Sequence, residues 1–217
     1  MKRLNLEKLD NLLYFSTASA MTVFSEEKKK TIETNLYRWA KNGTIIGLKR
    51  GLYITKAAYT RYGTDNEFRI FLGCIMKYPS YLTAEAVLRD YDMLTEATFG
   101  YTYATTKHRS EIINKIGTFI YKEIKPELFT GYEIKYYLGG TYYMATKAKA
   151  LFDYLYFRAD IIPYDKPGID LVEDLRLNLD TMRRKDYREL RSYIRLTKRT
   201  KVKKIINNII TNAPNNS

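Results

Sequence analysis

The stretch Trp39-Ala-Lys-Asn-Gly-Thr-Ile-Ile-Gly-Leu-Lys-Arg-Gly-Leu-Tyr-Ile-Thr55 decides how the N-terminal part of this chain folds. Asn42-Gly43 closes a helix, because glycine readily takes the left-handed conformation that ends one. Two short apolar runs follow, Thr44–Leu48 and Leu52–Thr55, which predict paired strands. Lys49-Arg50-Gly51 joins them, and Gly51 suits the positive φ of a three-residue hairpin loop. The most exposed turn of the unit therefore carries two adjacent cations.

Upstream of it, Leu6, Leu9 and Leu13 predict a short amphipathic helix ending near Phe15. Ser16 is placed to cap a second helix through Val23 and Phe24. Ser25 is placed to cap a third, with Glu26 and Glu27 in its first turn. In that third helix Ile32, Leu36, Trp39 and Ala40 recur at helical spacing and predict one buried stripe. Lys30, Thr34, Arg38 and Lys41 point elsewhere, with Thr31 at the flank.

Three helices and then a basic hairpin is the order of a winged helix-turn-helix. In that arrangement a recognition helix enters the major groove and the wing rests on neighbouring phosphates. On this reading Lys30, Thr31, Thr34 and Arg38 face the major groove of double-stranded DNA. Lys28 and Lys29 meet adjacent phosphates, and Lys49 and Arg50 are the wing contacts. The competing readings are a winged-helix unit that touches only protein, and an unremarkable hairpin after a helix.

Charge supports the nucleic-acid reading. The net charge of +13 is unevenly spread. Residues 1–60 hold 11 Lys and Arg against 5 Asp and Glu, residues 61–180 hold 15 against 17, and residues 181–217 hold 11 against 2. Both ends are basic and the middle is not, a segregation that solubility alone does not require. The 21 tyrosines are not taken as stacking platforms. Lys, Ile and Asn are abundant too, which points to an AT-rich genome.

A hydrophobic fraction of 45% with 28% charged residues is that of a folded chain rather than a disordered one. The longest apolar run, Ile70–Met76, is too short to span a bilayer. Glu7, Lys8 and Asp10 interrupt any secretory signal. The single Cys74 lies in that apolar run and reads as a core thiol. A cytoplasmic protein with no membrane partner is expected.

Further along, Tyr59–Asp65 reads as a linker, so the expected domains are 1–62 and 63–217. A helix is predicted over Asn66–Met76, ended by Tyr78-Pro79. Thr83 is placed to cap the next, which carries Ala86, Val87 and Leu88. Phe99 to Ala145 alternates Tyr, Thr, Phe and Ile with glycines and predicts several antiparallel strands. Helix returns from Ala148 to Phe157. After Pro163–Gly168 the chain reads as helical through Ile210, with an unstructured Asn212–Ser217 tail. The expected fold class is α+β: a winged helix, then a mixed domain with antiparallel strands and a helical end.

In that helical end Arg184, Arg188, Arg191 and Arg195 share one stripe, about a quarter turn from Tyr187, Leu190 and Ile194. Lys198 and Arg199 continue the charge. The stripe is either a solvated face or a second surface for a polyanion or an acidic partner.

Groups for catalysis are scarce. His108 is the only histidine, which excludes multi-histidine metal sites. No phosphate-binding Gly-Lys-Ser/Thr loop and no Gly-x-Gly-x-x-Gly occurs. Asp90-Tyr91-Asp92 has the spacing of a two-carboxylate clamp but lacks a phosphate-binding turn before it. Glu123-Ile124-Lys125 lacks the upstream aspartate of metal-dependent nucleases. A Cys74–His108 pair would need Cys74 outside its apolar run. No enzyme, no metal and no cofactor is expected.

Four stretches resemble the AbiEi-type antitoxins of bacterial abortive-infection (phage-defence) toxin–antitoxin systems. They are Leu36–Tyr53, Tyr78-Pro-Ser-Tyr-Leu-Thr-Ala-Glu-Ala-Val-Leu-Arg-Asp-Tyr-Asp-Met-Leu94, Gly117-Thr-Phe-Ile-Tyr-Lys-Glu-Ile124 with Phe129-Thr-Gly-Tyr132, and Met144-Ala-Thr-Lys-Ala-Lys-Ala-Leu-Phe-Asp-Tyr-Leu-Tyr156. They span most of the chain in the family's order. The fourth departs from the family's Pro-Glu-Lys-Ala wording and keeps only Lys149-Ala150 of it. The resemblance implies a winged helix that binds inverted repeats in its own promoter and represses transcription. It also implies a C-terminal domain that counteracts a nucleotidyltransferase-like toxin without a stable complex. Asp153 matches the family's aspartate; a helix-cap or salt-bridge role competes with a functional one. The alternative overall is a non-catalytic interaction protein that binds RNA or an acidic partner through the basic C-terminal helices.

Overall fold

The computed structural model describes residues 4–95 and 100–213, and the chain divides into two compact units. The first holds residues 1–72 together with Ile112–Thr118; the second holds Gly73–Glu111 and the remainder from Phe119. The fold class is α+β, with two sheets whose pairings are mostly antiparallel.

The first unit opens on a short 3-10 helix, Leu6–Leu9, rather than a helix reaching Phe15. Phe15 instead belongs to strand β1 (Phe15–Ser16). Its side chain is buried and stacks on Tyr53 at 5.6 Å between ring centroids. Cross-strand burial of a large aromatic outweighs the local helical preference there. Helix α1 (Thr17–Val23) starts where expected, with Ser16 and Ser19 forming a reciprocal capping box. Helix α2 (Lys29–Lys41), strands β2 (Ile45–Lys49) and β3 (Leu52–Thr55) and helix α3 (Lys56–Tyr62) complete the run.

The three strands form one sheet in the order β1-β3-β2. Gly43 and Gly51 both take φ +75°, as their turns require. The core is built from Leu9, Phe15, Ala20, Phe24, Ile32, Leu36 and Ile45, with Trp39 and Tyr53 partly buried against it. The expected linker at Tyr59–Asp65 does not exist as such. The Thr55 hydroxyl accepts the Ala58 N–H and caps α3, so Tyr59–Tyr62 are helical.

Helix α4 (Asn66–Met76) ends before Pro79 as predicted. Strand β4 (Ser80–Leu82) and helix α5 (Glu85–Asp90) follow. Thr83 does not cap α5; Ala84 occupies that position at φ +53°, and the Thr83 hydroxyl donates elsewhere. Strands β5 (Tyr101–Thr105), β6 (Ser110–Asn114), β7 (Gly117–Glu123), β8 (Tyr132–Tyr137) and β9 (Gly140–Ala145) fill the region read as strands. Phe99, the expected first residue of that region, lies outside the described residues. The sheet runs β6-β7-β5-β4-β9-β8. The β5–β7 and β4–β9 pairings are parallel, a departure from an all-antiparallel sheet.

Helix α6 (Lys147–Arg158) is buried continuously from Ala148 to Tyr156, which makes it the central helix of the second unit. The C-terminal part is less helical than predicted: α7 is only Leu171–Asp174, and α8 (Arg184–Leu196) and α9 (Thr200–Thr211) are separate. Of the expected tail, Asn212 ends α9, Ala213 is buried, and 214–217 lie outside the described residues.

Candidate nucleic-acid interface

Helix α2 begins at Lys29, not near Ser25. The Phe24 side chain is buried and its carbonyl accepts the Glu27 N–H, which folds residues 24–27 into a turn and delays the helix. Lys28 then occupies the cap position with no side-chain hydrogen bond to the first turn. The positive end of the helix dipole, without a side-chain cap from Lys28, thus coincides with Lys28, Lys29 and Lys30, all exposed. Cations at this end of a helix cost roughly 0.3–1 kcal/mol each at low ionic strength. The arrangement opposes local stability and concentrates positive potential, as an anion contact requires.

The buried stripe of α2 is Ile32, Asn35 and Leu36, with Trp39 half-buried. Ala40, expected in it, is exposed, and Asn35 takes part instead, its amide donating to the Thr31 carbonyl at 2.8 Å. The opposite face carries Lys30, Thr34, Tyr37 and Lys41, which recur at helical spacing. Thr31 and Thr34 are half-buried, and the Thr34 hydroxyl donates to the Lys30 carbonyl at 2.7 Å, leaving its oxygen lone pairs to accept. Arg38 is exposed on the flank. Lys29 lies 4.0 Å from Glu33, an exposed i,i+4 pair of small energetic weight.

Tyr37 is the residue that sequence reasoning missed. It is 67% exposed, unusual for so large a ring, and it lies three residues after Thr34 and seven after Lys30 on the same face. The periodicity that placed Lys30 and Thr34 would have found it. The abundance of tyrosine throughout the chain hid the signal.

The hairpin tip is held at several points. Lys49 pairs with Leu52, so the turn proper is Arg50-Gly51, one residue shorter than predicted. The register shifts between Gly47 and Lys49, and the extra residue, Leu48, is buried. The Asn114 amide donates to the Leu48 carbonyl at 2.9 Å. The Gly51 carbonyl accepts the Thr17 N–H at 3.0 Å, which ties the turn to the start of α1. Lys49 and Arg50 are exposed on this anchored turn.

In the second unit Arg184, Arg188, Arg191 and Arg195 are all exposed on α8, and Lys198 is exposed just beyond it. Tyr187, Leu190 and Tyr193 are buried, and Ile194, expected with them, is only half-buried. Arg199 does not continue the stripe as a contact residue. Its guanidinium binds Asp160 at 2.7 Å and the Tyr156 carbonyl at 3.2 Å and sits over the Tyr156 ring.

Asp153 is completely buried in α6 and accepts three hydrogen bonds: from Lys149 at 2.6 Å, Thr83 at 2.8 Å and Tyr81 at 2.9 Å. Lys149 is equally buried, with Phe152, Tyr193 and Tyr81 around its ammonium. Burial pushes the Asp153 carboxyl up and the Lys149 amine down, against the attraction between them. This is a salt-bridge role inside the core.

The other candidate groups are apart. Burial pushes the Cys74 thiol up to about 12, and it donates to the Tyr143 carbonyl. His108 is exposed, with Nδ1 3.5 Å from Glu123. The Asp92 carbonyl accepts from Asn178, and partial burial raises the Asp90 carboxyl. Among the described residues no group of three or more His, Cys, Asp or Glu is placed to hold a metal, and no helix is long and apolar enough to cross a membrane.

The chain matches no protein-family profile and no curated protein.

Proposed function

We propose that this chain is a DNA-binding transcriptional regulator whose first unit is a winged helix, with α2 as the recognition helix and the β2–β3 turn as the wing. The observation that carries the reading is the exposed α2 face of Lys30, Thr34 and Tyr37, in a helix whose start is crowded with uncapped lysines. The anchored Lys49-Arg50 turn in the same unit supports it. The resemblance to AbiEi-type antitoxins extends the proposal. The protein represses its own operon through inverted repeats in the promoter. It counteracts a nucleotidyltransferase-like toxin encoded beside it, without a stable complex and by binding rather than catalysis.

The test is a gel-shift titration on the DNA upstream of its own gene at several salt concentrations. Lys49→Ala with Arg50→Ala should weaken binding to promoter and unrelated DNA alike. It should also reduce the slope of log K against log salt by about 1.8, two phosphate contacts at about 0.9 each. Wild-type affinity and slope in the double variant would defeat the wing assignment. A second reading, RNA or an acidic partner on the α8 arginines, is favoured only by the exposure of that stripe.

A further inference from the structure

Strand β8 ends the six-stranded sheet, with β9 on one side and no strand on the other among the described residues. An open edge is a template for pairing with another chain, and proteins usually blunt it with charge, proline or a bulge. Strand β8 has no proline, and its pairing with β9 is unbroken from Tyr132 to Tyr137. Its exposed apolar residues are also clustered. Ile134 is 54% and Tyr136 74% exposed, at alternate positions and so on one face.

The charges say what pairs there. Glu133 and Lys135 share the other face of β8, two residues apart, and contact each other at 2.8 Å. In an antiparallel pairing of β8 with a second β8 about a two-fold axis at Ile134, Glu133 of each copy faces Lys135 of the other. Ile134 faces itself, and Tyr132 faces Tyr136. Directly opposed side chains point to the same face, so both unlike-charge pairs and the apolar pairs form together. Strand β6, at the other end of the sheet, carries the single charge Glu111 and has no such complementarity.

We propose that this protein forms a two-fold homodimer in which β8 pairs antiparallel with β8 of a second copy, centred on Ile134, joining two six-stranded sheets into one. The dimer does not depend on DNA binding and is tested without DNA.

The experiment is sedimentation equilibrium or light scattering of the full chain over micromolar concentrations. Wild type should show twice the chain mass. Lys135→Glu and Glu133→Lys should each give a folded monomer, because each sets like charges opposite one another twice. The exchange variant Glu133→Lys with Lys135→Glu should dimerise again. An equimolar mixture of the two single variants should form a heterodimer that neither forms alone. Circular dichroism confirms that the single variants remain folded, and both positions are at the surface. A wild-type monomer across the concentration range overturns the proposal. So do single variants that stay dimeric, or a mixture that fails to pair.

Discussion

Lys149 and Asp153 stand four residues apart on the most buried helix of the chain, and neither reaches solvent. A buried pair of this kind is not strong evidence of net stabilisation, because desolvating two ions offsets their attraction. Breaking it is another matter. Lys149→Met should cost roughly 3–5 kcal/mol, since the Asp153 charge is left without its cation. Adding Asp153→Asn should restore more than half of that loss. The amide oxygen still accepts from Tyr81 and Thr83, and no charge remains buried. Urea unfolding measures both, and equal instability of the single and double variants would remove the charge argument. The pH dependence follows from the direction of each shift. A carboxyl raised above its ordinary 3.8 contributes stability that is fully present below that value and is lost as pH rises through the folded-state pKa. The stability of wild type relative to Asp153→Asn should therefore fall as pH rises from about 4. Lys149, held below its ordinary 10.5, costs stability at neutral pH, and that cost fades as pH approaches 10.5.

At the scale of elements, what was legible in the sequence is what a single residue can impose on its neighbours. Gly43 and Gly51 mark turns because their positive φ is a local demand, and Ser16 caps α1 through a hydroxyl three residues from its partner. What was illegible depends on partners far along the chain. The Thr83 hydroxyl serves Asp153 seventy residues on, so it is not the cap its position suggested. Phe15 is a strand residue because of Tyr53, and Ser25 lost the start of α2 to the burial of Phe24. The exposed face of α2 was legible in outline, because periodicity sets it, but Tyr37 was passed over and Ala40 was assigned to the buried stripe. That residue supplies the prediction for α2. Tyr37→Ala removes an exposed ring and should change stability by less than about 0.5 kcal/mol. It should weaken promoter binding more than binding to unrelated DNA, as should Thr34→Val, by about 1–3 kcal/mol if each reads a base. Unchanged promoter preference in a competition titration would remove α2 from the recognition role.

Taken whole, the chain divides in a way that no local pattern announces. Ile112–Thr118 belongs with the first unit although it follows it by about forty residues, and Asn114 bonds the β2–β3 hairpin from there. The second unit is likewise completed from a distance. Helices α8 and α9 bury Tyr187, Leu190, Tyr193, Val202, Ile205, Ile206, Ile209 and Ile210. At about 1.5–3 kcal/mol for each large apolar side chain, their removal forfeits about 12–24 kcal/mol, as much as or more than the roughly 5–15 kcal/mol that holds a domain folded. Deleting residues 181–217 would therefore unfold the second unit and cannot by itself decide whether the basic C-terminal end binds nucleic acid. Neutralising the exposed stripe decides it cleanly. Arg184→Gln, Arg188→Gln, Arg191→Gln and Arg195→Gln together leave the buried face of α8 untouched. If DNA is held by the first unit, promoter affinity at a fixed salt concentration should change by less than about threefold and the salt slope should stay near wild type. If the stripe holds the DNA backbone instead, the slope should drop by about 0.9 for each phosphate no longer neutralised, and affinity for all sequences should fall together.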